Sequence, residues 1–351
     1  MGNLTVSDVD GVLSGESEGD FAGQSVAGIG DMDGDGWEDV AVGAVYVTGS
    51  SVDSVLGDCA TADREEYSDE HGISAGAVYL LRGPVTGEMS LAMAEARVYG
   101  EDGADYLGYS LGGQGDLNGD GIPDLLVSAP GQCEGGLDAG AVYVMDGPVY
   151  GDLTAGDAGW KVLGGARREL AGEAVSVAGD VNGDGLDDFV VGVRFREGAD
   201  GADQGVAYLV LGPGIGVDEL ESADASLWGE EALDRAGSSV ASAGDVNVDG
   251  FDDLLIGARG SSTEATYGGA AYLVHGPVTG SGDLSDAAAK FVGSEVSEGV
   301  GESVAGGGDV DGDGLPDLWI GATGDSEAAP WAGAVSLILG GGPMLTGGYG
   351  P

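Results

Sequence analysis

The chain has 351 residues, of which 62 are acidic and 11 are basic, so its formal net charge is −51. This charge excludes a nucleic-acid binder that works through a general basic field, and it argues against docking onto anionic membranes. Glycine accounts for 73 residues and proline for only 10, without a G-X-Y period, so the chain is not collagen-like. Hydrophobic residues make up 42%, which is enough for a core. This composition favours short strands joined by tight turns.

The first residues, 1–11, lack the basic region and the apolar core of a signal peptide. Either such a peptide has been removed, or the protein is not exported by that route. No stretch approaches the ~20 apolar residues that span a membrane, so we expect no membrane span.

A nine-residue pattern, typified by DVNGDGLDD, recurs five times with matching flanks. The copies lie at 31–39, 116–124, 180–188, 245–253 and 309–317. A run of small residues precedes each copy, and a β-branched run such as DLLIGA follows it. A third segment such as GAVYVMDGP and a fourth such as WKVLGG close most units. Each unit therefore predicts four short strands.

Four-stranded units repeated around an axis form a β-propeller, so we predict an all-β fold and a single domain over residues 1–351. The pattern predicts about five blades. Residues 3–16 resemble the segment that ends each later unit, and the last unit lacks that segment. We therefore expect the N-terminal strand to complete the last blade and close the ring, which leaves no open edge.

The nine-residue pattern predicts a calcium loop between strands one and two of each blade, and about five Ca²⁺ ions in all. Positions 1, 3, 5 and 9 carry side-chain oxygens, position 6 is always Gly, and position 7 would supply a backbone carbonyl. The predicted ligands are Asp31, Asp33, Asp35, Trp37, Asp39, Asp116, Asn118, Asp120, Ile122, Asp124, Asp180, Asn182, Asp184, Leu186, Asp188, Asp245, Asn247, Asp249, Phe251, Asp253, Asp309, Asp311, Asp313, Leu315 and Asp317.

Two other interpretations of this pattern are Asp/Gly turns without a metal and EF-hands. An EF-hand needs a Glu at position 12 of its loop and a helix on each side of the loop. Here position 12 is Val or Ile inside a predicted strand. Carboxylates packed so closely repel one another without a cation, which favours the calcium interpretation over empty turns.

The pattern resembles the FG-GAP repeat family, whose units form the propeller head of integrin α subunits. The FG motif has counterparts in FAG at 21–23 and YLG at 106–108, and the GAP motif in GAV, SAP, GVR, GAR and GAT. Integrin-like heads have seven blades, so the count of five is a departure. The resemblance implies a calcium-stiffened scaffold that binds a ligand on the face opposite the calcium loops, without catalysis.

The loops of that opposite face hold both cysteines and most of the basic residues. An insertion at about 46–74 contains Cys59, and the matching loop of the next unit contains Cys133. We expect a disulfide between them, the alternative being two free thiols in a reducing compartment. Arg167, Arg168, Arg194, Arg235 and Arg259 form either a cationic site for an anionic ligand or a set of pairs that neutralise nearby acids.

The function predicted is a calcium-binding adhesion or binding module, extracellular or at the cell surface, with a protein or glycan ligand. The first alternative is a structural repeat subunit of a surface layer or filament. A propeller-based polysaccharide-active enzyme is the weakest alternative, because no G-x-S-x-G nucleophile elbow lies between a predicted strand and a helix, and neither histidine has an evident carboxylate partner. We therefore predict no catalytic residues.

Overall fold

The computed structural model describes residues 10–48, 74–199, 201–326, 329 and 331–342 of this chain. Their regular secondary structure is almost entirely β-strand, as predicted. The strands are β1 (Gly11–Ser14), β2 (Ala22–Gly30), β3 (Asp39–Ala44), β4 (Ala77–Leu81), β5 (Gly87–Ser90), β6 (Ala96–Tyr99), β7 (Leu111–Gly115), β8 (Asp124–Ala129), β9 (Ala141–Met145), β10 (Gly151–Thr154), β11 (Trp160–Leu163), β12 (Ala174–Gly179), β13 (Asp188–Val193), β14 (Val206–Val210), β15 (Gly216–Glu219), β16 (Ala225–Trp228), β17 (Ala236–Gly244), β18 (Asp253–Ala258), β19 (Ala270–Val274), β20 (Gly280–Asp283), β21 (Ala289–Val292), β22 (Val300–Gly308), β23 (Asp317–Ala322) and β24 (Ala334–Ile338). The 3₁₀ helices are η1 (Leu91–Met93), η2 (Ala155–Asp157), η3 (Leu220–Ser222) and η4 (Leu284–Asp286).

Each of the first four repeats forms four antiparallel strands in sequence order, as the segments predict. The second repeat, for example, runs β7-β8-β9-β11. Strands two and three are buried along their whole length, because neighbouring sheets cover both of their faces. Their continuous apolar sequence follows from that burial.

A short additional strand ties each repeat to the one before it. β10 of the second repeat pairs in parallel with β6, the outer strand of the first repeat. β15 and β20 repeat this pairing with β11 and β16, and β5 pairs in the same way with β1. Sequence analysis did not predict these strands, which are followed by η1–η4.

The sheets pack side by side in chain order. Strand β2 packs on β7, β7 on β12, β12 on β17 and β17 on β22. Apolar side chains fill each junction; Ile29 and Leu80 of the first repeat share a cluster with Leu125 and Tyr143 of the second. Sheets of four to five strands arranged in this way are consistent with a β-propeller.

Charged side chains reinforce the junctions at the outer strands. Lys161 of β11 pairs with Glu101 (Nζ–Oε2 2.7 Å), which follows the outer strand of the preceding repeat. The Tyr143 hydroxyl donates to the same carboxylate at 2.7 Å, and the lysine ammonium lies 5.2 Å from the centre of the Tyr143 ring. Lys290, Glu230 and Tyr272 repeat the ion pair and the cation–π contact two repeats later.

The blade count of five and the closure of the ring are not confirmed. In the described ranges β24 pairs only with β23, β1 pairs only with β5, and no packing comparable to the other junctions joins β22 to β2. As a result Trp319, Val335 and Leu337 are 37%, 68% and 39% exposed. Their counterparts in the fourth repeat, Leu255, Ala271 and Leu273, are fully buried.

Residues 49–73 lie outside the described part of the chain. They make up most of the predicted insertion and include Cys59. Cys133 is not a free cysteine, but its predicted partner is outside the described part, so the disulfide stays a prediction. Among the described residues, none of the helices has the length and apolar character needed to cross a bilayer.

Candidate functional site: five acidic loops

The five nine-residue segments form the loops between strands one and two of each repeat, as predicted. The first strand of each repeat ends at the residue before position 1, and the second strand begins at position 9. The turn between them depends on the glycine at position 6, whose φ is positive in all five loops and reaches 95° at Gly250.

The carboxylate at position 1 is held by backbone N–H groups of its own loop. In the second loop, Gly119 and Asp120 donate to Asp116 Oδ1 at 2.7 and 3.1 Å, and Gly121 donates to Oδ2 at 2.9 Å. The same three bonds hold the first aspartates of the first, third and fifth loops, Asp31, Asp180 and Asp309.

The fourth loop differs at position 4, where Val248 replaces glycine. Its φ is 60°, a conformation that a β-branched residue rarely adopts. Asp245 there receives two of the three bonds, from Asp249 and Gly250. The loop therefore keeps its overall shape despite the substitution.

Positions 3 and 5 are ordered by short bonds as well. In the third loop, Asp184 N–H donates to Asn182 Oδ1 at 2.7 Å, and Leu186 N–H donates to Asp184 Oδ1 at 2.9 Å. Equivalent bonds recur in the other four loops. The oxygen-bearing side chains are thus turned inward by the backbone.

The aspartate at position 9 is buried in every loop and ties two loops together. Asp188 accepts N–H bonds from Val181 at 3.0 Å and from Gly212, which follows strand three, at 3.0 Å. Asp39, Asp124, Asp253 and Asp317 make the same pair of bonds, with Gly83, Gly147, Gly276 and Gly340 as the second donors. Sequence reasoning missed these glycines, although a Gly-Pro or Gly-Gly pair follows each third strand.

Burial raises the pKa values of most of these position-9 carboxyls. The pKa rises to about 6 for Asp124 and Asp253 and to about 7 for Asp188, although backbone donors oppose the shift. The pKa of Asp39 is raised for the same reason. The pKa of Asp317 is lowered instead, because the N–H groups of Gly340 and Val310 stabilise its charged form.

The oxygen sets fit a calcium ion in chemistry and spacing. In the first loop, one carboxylate oxygen each of Asp31, Asp33 and Asp39 lies within 4.8 Å of the others, and Asp309, Asp311 and Asp317 form the same group. Two oxygens that bind one Ca²⁺ at 2.3–2.6 Å are at most about 5 Å apart, so these groups match. The other three loops carry Asn118, Asn182 or Asn247 at position 3, so an amide oxygen replaces one carboxylate.

Three of the five arginines in the predicted group are paired with acids. Arg194 lies 2.6 Å from Glu173 (Nε–Oε2), Arg259 lies 2.7 Å from Glu302 (Nη1–Oε1), and Arg235 approaches Asp203 at 3.5 Å. Arg194 and Arg235 also flank the ring of Phe195, at 4.6 and 5.7 Å from its centre. Arg167 and Arg168 are exposed. This pairing favours the neutralisation interpretation over an anion site.

An aromatic cluster that sequence reasoning missed lies on the face opposite the acidic loops. Phe21 contacts Tyr46 edge-on with ring centres 5.0 Å apart, and Tyr46 contacts Tyr106 at 5.8 Å. Phe21 is 54% exposed, and Phe21 and Tyr106 both have left-handed backbone, with φ of 53° and 57°. They occupy the first position of the FAG and YLG segments, which is the signal that could have found them.

Comparison with known proteins finds similarity in three of the five repeats. The family model described as FG-GAP repeat matches residues 108–145, 236–274 and 300–338. The chain is 31% identical to integrin alpha pat-2 of Caenorhabditis briggsae over 243 residues, covering 64% of this chain and 18% of that protein. It is 34% identical to integrin alpha-5 of Xenopus laevis over 227 residues, covering 62% and 20%.

A third relative, integrin alpha-PS5 of Drosophila melanogaster, is 34% identical over 181 residues, or 50% of this chain and 17% of that protein. The chain thus spans no more than about a fifth of the length of these relatives. The second, fourth and fifth acidic loops lie within the three matched repeats. This chain contains three FG-GAP repeats and is similar over half or more of its length to integrin α subunits.

Proposed function

We propose that this chain is a calcium-stabilised β-propeller that acts as a binding or adhesion module. The observation that carries the proposal is the set of five loops in which backbone N–H groups orient the same oxygen-bearing side chains. In each loop the side chains at positions 1, 3, 5 and 9 and the carbonyl at position 7 would hold the ion. A bound Ca²⁺ would offset the mutual repulsion of three or four carboxylates.

Removal of calcium should loosen or unfold the protein. Thermal melts in excess Ca²⁺ and in EGTA measure this directly, because an ion that binds only the folded state raises the melting temperature with its concentration. Calorimetric titration should give about five equivalents of Ca²⁺. Superimposable melts in the two buffers would contradict the calcium proposal.

The adhesion part of the proposal is supported by similarity to integrin α subunits and by the aromatic cluster of Phe21, Tyr46 and Tyr106. Phe21 is exposed and the two tyrosines are half-buried, and accessible aromatic groups on a rigid scaffold are typical of protein and glycan recognition. The cluster lies on the face opposite the calcium loops, so a protein or glycan ligand would bind there. An extracellular or cell-surface setting fits this function, because free calcium is high outside cells.

Binding on this face can be tested with matched aromatic variants. Immobilised protein is screened against a glycan array and a panel of secreted proteins, with Ca²⁺ and with EGTA. Phe21→Ala should weaken any calcium-dependent hit at least about tenfold, as loss of a central aromatic contact does. Tyr267→Ala removes an exposed aromatic residue with the same left-handed backbone from another loop of this face and should leave binding unchanged. Equal effects of the two variants would count against the cluster.

A structural repeat subunit is the second candidate function, and one observation favours it. The exposed row of Trp319, Val335 and Leu337 on the last sheet, together with the edge of β24 that no described strand pairs with, could pack against another repeat.

We propose that β1 of the same chain fills this edge and closes a single five-bladed domain. The Cys59–Cys133 disulfide belongs to the same proposal, as a tether for the insertion.

A further inference from the structure

Two aspartates outside the predicted ligand set join neighbouring acidic loops. Asp187, at position 8 of the third loop, accepts an N–H bond from Asp116 of the second loop (Asp116 N–Asp187 Oδ2 2.8 Å). Its own N–H donates to the Asp116 carbonyl at 3.2 Å. Asp252 of the fourth loop makes the same two bonds with Asp180 of the third, at 2.9 and 3.1 Å.

We call each of these two pairs of hydrogen bonds a clasp. In a clasp, the eighth residue of one loop is hydrogen-bonded to the first predicted ligand residue of the preceding loop. Asp187 lies between Leu186, whose carbonyl is a predicted ligand, and Asp188, another predicted ligand. Ordering of the third loop therefore fixes Asp187, and through two hydrogen bonds it fixes the peptide groups on both sides of Asp116. The orientation of the Asp116 carboxylate depends on that backbone.

The remaining two junctions lack the clasp because position 8 is proline. Pro123 and Pro316 have neither an N–H nor a carboxylate, and they only pack against the glycine before the preceding loop. A Cβ added at Gly30 would lie 2.9 Å from Pro123, and one at Gly244 would lie 2.8 Å from Pro316. The chain thus contains two clasped and two unclasped junctions.

A second observation separates the two kinds of junction. At the clasped junctions the loops also touch through side chains: a Cβ at Gly119 would lie 2.7 Å from Leu186, and one at Gly183 would lie 2.6 Å from Phe251. At the first unclasped junction the corresponding glycine, Gly34, faces open space. At the last one, the corresponding residue is the exposed Val248.

We propose that Asp187 and Asp252 are positioning residues that couple calcium binding among the second, third and fourth loops, while the first and fifth loops bind independently. The inference rests on the proposed calcium function. An ion in the third loop orders Asp187 and so presets Asp116 for an ion in the second loop. By linkage the effect is reciprocal.

The coupling is measured by NMR, with the amide of Gly121 reporting Ca²⁺ binding to the second loop. Asp184→Ala, which disables the third loop, should weaken binding at the second loop about fivefold or more. In an Asp187→Ala background the same change should have less than about a twofold effect, whereas Asp187→Asn, which keeps an acceptor oxygen, should preserve the coupling. Disabling the first loop with Asp35→Ala should leave the second loop unaffected, because Pro123 separates them.

The proposal would be overturned if the coupling persisted in Asp187→Ala. It would also be overturned if Asp184→Ala had no effect on the second loop when Asp187 is unchanged. A second readout needs no metal: in EGTA, Asp187→Ala should speed hydrogen exchange at the amide of Asp116 but not at that of Asp180. Unchanged exchange at Asp116 would also overturn it. Should Asp187→Ala not fold, Asp252→Ala offers the same test at the next junction, with Asp249→Ala and the amide of Gly185. Absence of any Ca²⁺ binding would instead refute the proposed function and leave the exchange test intact.

Discussion

At the scale of single residues, the position-9 aspartates link the acidic loops to the core. They are buried and each receives two backbone N–H bonds, so they shape the loop even before an ion is bound. Without a cation, however, burial makes their charged form unfavourable, which is why the pKa of Asp188 rises to about 7.

The ion-free protein should therefore lose stability as the pH rises. A carboxyl whose pKa is higher in the folded state than in the unfolded chain stabilises the fold below its ordinary pKa of about 4, and this contribution is lost as the pH passes through the folded value. For Asp124, Asp253 and Asp188 that loss occurs between about pH 4 and pH 7.

On protein stripped of Ca²⁺ beforehand, which is needed because EGTA binds Ca²⁺ weakly at pH 5, melting temperatures in EGTA should accordingly fall by at least about 5 °C from pH 5 to pH 8. In excess Ca²⁺ the fall should disappear, since the ion favours the charged carboxylates. An Asp188→Asn variant in EGTA should show a weaker pH dependence than the unmodified protein. A flat pH profile in EGTA would show that these carboxyls do not titrate in the folded state.

At the scale of the element, the second strands of the first, third and fourth repeats lie against the following repeat with no room for a side chain at one position. A Cβ at Gly192 of β13 would overlap the carbonyl oxygen of Gly237, and Gly43 and Gly257 meet Gly108 and Gly301 in the same way. None of these three strand glycines has a positive φ, so space alone requires glycine there. Only the second repeat carries Ser128 instead.

Gly192→Ala should therefore destabilise the protein by about 1–3 kcal/mol through overpacking. Gly321 occupies the same place in β23, but there a Cβ would meet chiefly the rotatable Oγ of Ser303 and no neighbouring repeat. Gly321→Ala is the matched control and should cost less than about 1 kcal/mol if the last sheet is uncovered. Denaturant unfolding in Ca²⁺ measures both. Equal costs would indicate that another repeat covers β23.

The sequence predicted the strands and loops that carry strong local patterns. The four strands per repeat and the place of each acidic loop follow from apolar runs and from D-x-D/N-x-D-G spacing, which are local signals. The short strands β5, β10, β15 and β20 were missed because GEMS, GDLT, GVDE and GSGD are mostly exposed and lack apolar alternation. The second donor to each position-9 aspartate, such as Gly212, comes from a different loop that local spacing does not reveal.

At the scale of the whole molecule, two edges match one another. β1 takes the position of an outer strand on β5, just as β6 does on β10, but no third strand lies beside it among the described residues. β24 is a third strand, and within the described ranges no outer strand pairs with it. The register of β4 with β6 pairs Tyr79 with Arg97; the equivalent residues in β24 and β1 are Ser336 and Val12.

Neither Ser336 nor Val12 carries the aromatic ring or the cation found at this pair in the first repeat, so replacing both with cysteine removes no such contact. If β1 closes the ring, Val12→Cys and Ser336→Cys should form a disulfide within one chain under mild oxidation, in a background with Cys59 and Cys133 replaced by serine. Reducing and non-reducing gels with mass spectrometry distinguish the outcomes. A cross-linked monomer supports the closed ring, cross-linked dimers and ladders support assembly of copies through the same edges, and no cross-link shows that β1 and β24 do not meet. A Val12→Cys and Asp152→Cys pair, with the second residue beside β6, is the control that should remain uncrosslinked in every case.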